Sequence, residues 1–225
     1  MAISGLRRGL AFLVILACLV PEGGAWGAER NTPGEFDYYV LVLSWMPSYC
    51  RSEGRHRKDG QCGASKRDAF RLHGLWPQYD KGWPEHCPSG KRPWVPAKVI
   101  EEMGGIMPSK NLIIHEYRAH GTCSGLEPEQ YFGVARELYE RVNVPPRFLA
   151  PDGDPLVSPD EIEREFANTN SWLKPEMIAV SCRGAQLLDV RVCFGRDLFP
   201  RSCGVNEDQS RLCPAPKIAI PPVTP

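Results

Sequence analysis

HEYRAHGTC, residues 115–123, is the stretch on which the reading of this 225-residue chain turns. Its two histidines stand at i and i+5, one residue wider than in HExxH, where imidazoles one helical turn apart share a zinc ion. At 3.6 residues per turn, five residues set the two rings about 140° apart, so they diverge. Glu116 and His120, at i and i+4, align instead. A carboxylate beside an imidazole suits proton transfer or an anionic transition state better than a zinc site. NLII (111–114) extends the helical pattern on the N-terminal side, and Gly121 ends it.

A second histidine has equally particular surroundings. RLHGLWPQ (71–78) places His73 at the end of an alternating stretch, AFRLHGLW (69–76), that reads as a strand. DYYVLVLSW (37–45) is β-branched and aromatic and reads as a buried strand. A Pro-rich loop is expected from Pro77 to Pro96. PAKVIEEM and PEQYFGVARELYERV (128–142) read as helices, and Ser158 with Glu161 forms a capping box that opens another. MIAVSC and QLLDVRVCFG, separated by Arg183, Gly184 and Ala185, read as a hairpin. PAPKIAIPPVTP reads as a loose C-terminal tail. Strands and helices mix without βαβ regularity. The expectation is therefore a single α+β domain with a central antiparallel sheet and flanking helices.

The first 27 residues read as a signal peptide: a basic start with Arg7 and Arg8, a twelve-residue apolar run, then small residues ending at Gly27. A lipid anchor at Cys18 is the minor alternative. This implies a secreted or periplasmic protein, a domain over 28–213 and a tail over 214–225. No later run is apolar and long enough for a membrane span, so no stable membrane association is expected. Once Cys18 leaves, eight of the nine cysteines remain, an even count that reads as four disulfides in an oxidising compartment. Eight cysteines allow 105 pairings, and no CxxC pair suggests a zinc site. Losing Arg7, Arg8 and Glu22 leaves 25 basic and 26 acidic residues, which excludes a whole-molecule basic field for nucleic acid. Any attraction to an anionic polymer is local, and the basic loop 51–71 is either a solvated loop or a phosphate-steering lip.

HGLWP (73–77) and HExxxHGTC (115–123) together resemble the two hallmark blocks of the ribonuclease T2 family, and DYYVLVLSWMPSYC (37–50) resembles its first strand. The similarity runs from about Phe36 to Cys213. It implies a metal-independent endoribonuclease without cofactor. Such an enzyme cleaves single-stranded RNA by 2′-OH attack through a 2′,3′-cyclic phosphate, and it spares DNA, which lacks the 2′-OH. By motif, His120 would be the general base, His73 the general acid and His115 a phosphate ligand. Glu116 would orient and polarise the phosphate and its imidazole partner. Trp76 resembles the base-stacking position, with Gln78 and Trp83 completing a base pocket of low specificity and Leu112 near a second one. The resemblance also implies the pairings Cys50–Cys62, Cys87–Cys123, Cys182–Cys213 and Cys193–Cys203. A monomer is expected. His56 and His86 read as surface residues.

One departure bears on catalysis. The family's second block carries a lysine where this chain has Ala119, and loss of a phosphoryl donor typically costs about 10²–10³-fold in rate. Arg118 is the expected partial substitute. The alternative reading is an RNA-binding protein on the same fold that has lost turnover at Ala119.

Overall fold

The computed structural model describes Met1 and residues 31–52, 62, 69–90, 92–107, 109–149, 153 and 155–222. The expected leader with Cys18, and His56 with most of the basic loop, lie outside the described residues. In chain order the elements are β1 (Tyr38–Trp45), α1 (Met46–Ser52), β2 (Phe70–Gln78), α2 (Ala97–Met103), α3 (Lys110–Ala119) and α4 (Pro128–Arg141). They continue with α5 (Pro146–Leu149), β3 (Leu156–Val157), α6 (Pro159–Thr169), β4 (Ile178–Arg183), β5 (Gln186–Gly195), α7 (Gln209–Leu212) and β6 (Ile218–Ala219).

The sheet runs β2-β1-β5-β6-β3, with β4 also paired to β5. β1 pairs antiparallel with both β2 and β5, and β4 with β5. The α+β class and the antiparallel centre hold. The one parallel contact is a single register pair, Gln186↔Ala219, where β6 meets β5.

β1 explains why its sequence looks uniformly apolar: both of its faces are covered. Tyr39, Leu41, Leu43 and Trp45 face the main core under the helices, where Phe70, Phe148 and Phe166 gather around Trp45. Tyr38, Val40 and Val42 face the other side, against Cys193 and Trp76. One sheet face is therefore the core, and the opposite face is left for polar groups.

Two expectations need correction. β2 continues through Pro77 to Gln78, so the Pro-rich loop starts later than the sequence suggests. Proline is tolerated there because β2 is an edge strand whose lost N–H faces no partner. The C-terminal segment is not loose as far as Pro222. Ile218 and Ile220 are fully buried, β6 pairs with β3, and the Trp45 indole N–H donates to the Pro221 carbonyl at 3.0 Å. Its alternating isoleucines outweigh its prolines.

Local rules placed the helices. Ser109 caps α3 by accepting from the Leu112 N–H, and the Ser158–Glu161 capping box opens α6. Gly184 takes φ +59° in the tight β4–β5 turn. The four cystines are Cys50–Cys62, Cys87–Cys123, Cys182–Cys213 and Cys193–Cys203, as the resemblance implies. Cys87–Cys123 fastens the loop after β2 to the turn after α3, so the two histidine segments share one frame.

Candidate active site

The polar sheet face is built by a β-bulge. Val42 pairs with Gly74 and Leu43 with Leu72, so His73 is the extra residue of β2. A bulge re-aims a side chain, and this one turns the imidazole onto the face that carries Ser44 and Asp189. His73 Nδ1 lies 3.2 Å from Ser44 Oγ, which donates to Asp189 Oδ1 at 2.5 Å. Ser181 Oγ donates to the other oxygen of Asp189 at 3.0 Å. Since the Ser44 proton points at Asp189, Ser44 accepts from His73, which places the ring proton on Nδ1. Nε2 is then free for chemistry, with Glu116 Oε1 at 3.6 Å.

Here the structure departs from helical reasoning. Glu116 does not work with His120 but across to β2. Its Oε2 accepts from Trp76 Nε1 at 2.8 Å, while Oε1 approaches His73. His120 is the residue at which α3 ends: its φ of −119° takes it off the helical path. Spacing arguments hold only while the helix continues. Gly121 follows because a Cβ there would lie 2.4 Å from the Tyr117 ring.

Trp76 links the two histidines. Its ring centroid lies 5.3 Å from that of His73 and 5.1 Å from that of His120. The two imidazoles are tuned in opposite directions. Burial alone would lower His73, but Asp189 and Glu116 beside it outweigh burial and raise its pKa above the usual value. Burial, with the charges of His115, His73 and His86, lowers His120 to about 3, and its Nδ1 is buried with no hydrogen-bond partner among the described residues. Burial pushes the Glu116 carboxyl up to about 7, against the pull of His73 and Trp76. Burial also pushes Asp189 up, yet His73, Ser44 and Arg191 together hold it below its usual range. Two titratable groups driven apart in one cleft are the signature of an acid and base pair.

The remaining expected residues scatter. His115 is exposed on α3. Gln78 and Trp83 do share a cavity of about 210 Å³ with Trp76 and His120. Gln78 Oε1 accepts from Asn206 Nδ2 at 3.2 Å, and Trp83 stands at the rim, 55% exposed. Leu112 is half-buried and packs against the main core. Arg118 is not in this cavity. Its Nε donates to the Pro93 carbonyl at 3.3 Å, and its side chain lines a separate pocket with His86 and Arg92. Its expected role as substitute cation is therefore corrected: the loop carbonyl on its own side of α3 claims it. Ala119 is buried, so a lysine there would need its stem rehoused.

Sequence reasoning missed Ser44, Asp189, Arg191, Asn206 and Glu207. None belongs to a histidine motif, and they come from β1, β5 and the segment before α7. One signal was available. Asp189 and Arg191 alternate in an otherwise apolar strand, LLDVRVCF, and alternation places them on one face.

The profile of the Ribonuclease T2 family matches residues 36–203. A ribonuclease of Aeromonas hydrophila is 40% identical over 118 residues, 52% of each chain, so this chain spans about half that relative's length in the match. Ribonuclease I of Escherichia coli is 27% identical over 244 residues, covering 88% of this chain and 90% of that one. In fold, the chain is similar to an RNase-related protein from Calystegia sepium at a TM-score of 0.67 and 21% identity, over 84% of this chain and 99% of that one. A profile match over most of the chain, with the bulged His73 and His120 at the end of α3 both against Trp76, places this chain in the ribonuclease T2 family.

Proposed function

We propose that the protein is an endoribonuclease that cleaves single-stranded RNA without a metal ion, through a 2′,3′-cyclic phosphate. The observation that carries this reading is the opposed tuning of His73 and His120 beside one tryptophan. Neutral His120 takes the proton of the ribose 2′-OH as the O2′–P bond forms. Protonated His73 gives its Nε2 proton to O5′ as the P–O5′ bond breaks. Asp189, and Glu116 once its own carboxyl ionises near pH 7, keep that ring charged before transfer. Asp189, through Ser44, fixes its tautomer. His115, exposed on α3 and near enough for its charge to act on His120, is assigned to the RNA phosphate. Trp76, Gln78 and Trp83 offer the base its cavity. The disulfides support a secreted or periplasmic setting.

The direct test is cleavage of a short RNA by the oxidised protein in excess EDTA, with product ends identified. Cyclic phosphate and 5′-hydroxyl ends are expected. RNA binding without cleavage would replace the enzyme reading with the binding-protein one.

The acid and base pair sets a pH dependence. His120 is neutral above about pH 3, whereas His73 must be protonated. The rate therefore holds through the mildly acidic range and falls as pH rises through the elevated pKa of His73. Asp189→Asn keeps the shape but removes a negative charge. It should move the alkaline limb of kcat/KM to lower pH and cut the rate by about 10-fold or more. An unmoved limb would remove Asp189 from the mechanism.

A further inference from the structure

We infer that Arg191 supplies the guanidinium that grips the scissile phosphate in this chain. The inference rests on the nuclease reading above and assigns the charge that Ala119 does not provide.

Phosphoryl transfer to the 2′-OH piles negative charge on two non-bridging oxygens, and these need donors. α3 offers no cation to the His120 cavity, because position 119 is a buried alanine and Arg118 is held by Pro93. Arg191, on β5, lines that cavity together with His120 and Trp76. Its guanidinium carbon lies 5.3 Å from the Trp76 ring centroid. Its side chain is only 16% exposed. Nε is buried without a partner, and among the described residues the guanidinium makes no hydrogen bond.

A buried guanidinium lacking acceptors is costly unless a ligand provides them. Neither carboxylate near it, Asp189 or Glu207, accepts a hydrogen bond from it among the described residues. Glu207 Oε1 stands 3.7 Å from the guanidinium, beyond hydrogen-bond reach, and the other Glu207 oxygen accepts from the Tyr38 hydroxyl. Burial raises the Glu207 carboxyl further from its charged form. Beyond the loose ion pair with Glu207, the guanidinium carries no hydrogen bond among the described residues, and a guanidinium fork matches two phosphate oxygens. Arg191 moves no proton in the reaction. It donates hydrogen bonds to the phosphoryl oxygens while His120 and His73 exchange protons with O2′ and O5′.

The test compares the parent protein with Arg191→Gln and Arg191→Lys on a dinucleoside monophosphate, with inorganic phosphate and an uncharged nucleoside as inhibitors. Arg191→Gln should lower kcat by about 10²-fold. It should raise the inhibition constant of inorganic phosphate about tenfold or more, and leave that of the nucleoside unchanged. Arg191→Lys, which keeps the charge but not the fork, should recover part of both losses. Unchanged phosphate inhibition in Arg191→Gln overturns the assignment. So does weakened nucleoside inhibition with phosphate inhibition intact, which would make Arg191 a base reader. If the parent cleaves no RNA, the nuclease reading falls, and calorimetric titration with inorganic phosphate still decides for Arg191. Equal binding by parent and Arg191→Gln then overturns it.

Discussion

His120→Ala is expected to leave a folded protein with kcat lowered by about 10³–10⁴-fold, measured on short RNA with the cyclic product followed directly. The ring stays neutral down to about pH 3 and lines the Trp76 cavity, so its free nitrogen can accept the 2′-OH proton near neutrality. Added imidazole should restore part of the rate through its neutral form. Stability should behave in the opposite way. Nδ1 of His120 is buried without a partner among the described residues, so alanine removes a desolvated nitrogen rather than a hydrogen bond. The pH dependence of unfolding supplies a second readout. The folded pKa is about 3 and the unfolded pKa about 6.5, so between them the unfolded chain binds the extra proton. His120 therefore favours folding above that window, and its contribution is lost as pH falls through it. His120→Ala should lose that acid sensitivity and gain on the parent at pH 4 to 5. A variant that unfolds as readily as it loses activity would make His120 a structural residue.

Gly74→Ala is expected to destabilise the protein by about 2–4 kcal/mol and to cut activity by about 10²-fold or more. A Cβ at position 74 would lie 2.0 Å from Glu116 Oε2 and 2.7 Å from Trp76 Nε1. Glu116 has no open side to retreat into, since only 1% of its side chain is exposed. Moving it breaks the Trp76 hydrogen bond and draws it from His73, leaving a buried carboxyl unpartnered. Thermal unfolding and kcat should therefore fall together. Adding Glu116→Ala to Gly74→Ala removes the closest clash and leaves that with Trp76 Nε1, so part of the stability should return while activity stays low. If the double variant is no more stable than Gly74→Ala, the clash with Glu116 is not the cause.

The glycine also shows how unevenly this site could be read from the sequence. HGLWP marks His73 and Trp76 as special, and gives no reason for the glycine between them. Its real reason is a carboxylate reaching in from α3, more than forty residues later in the chain. The His115–His120 spacing excluded a shared metal, but the i, i+4 pairing it suggested for Glu116 failed. A helix projects side chains predictably only within itself, and α3 stops at Ala119. Arg118 failed for a related reason. Adjacency in sequence put it beside Ala119, while on the helix it faces the Pro93 loop.

By itself the sequence determined the four long strands, the Ser158–Glu161 cap, the α+β class and the two histidine motifs. These depend on periodicity, capping chemistry and local composition, which are properties of short stretches. The tertiary structure alone decided which groups work as partners. The bulge at His73 depends on register between β1 and β2, and register belongs to two strands at once. Ser44 on β1 and Asp189 and Arg191 on β5 meet the bulged His73 of β2 because the three neighbouring strands share one polar face, which no strand shows by itself. The opposed tuning of His73 and His120 likewise arises from burial and charge assembled from distant segments, because a pKa reports a group's whole surroundings and not its neighbours in the chain.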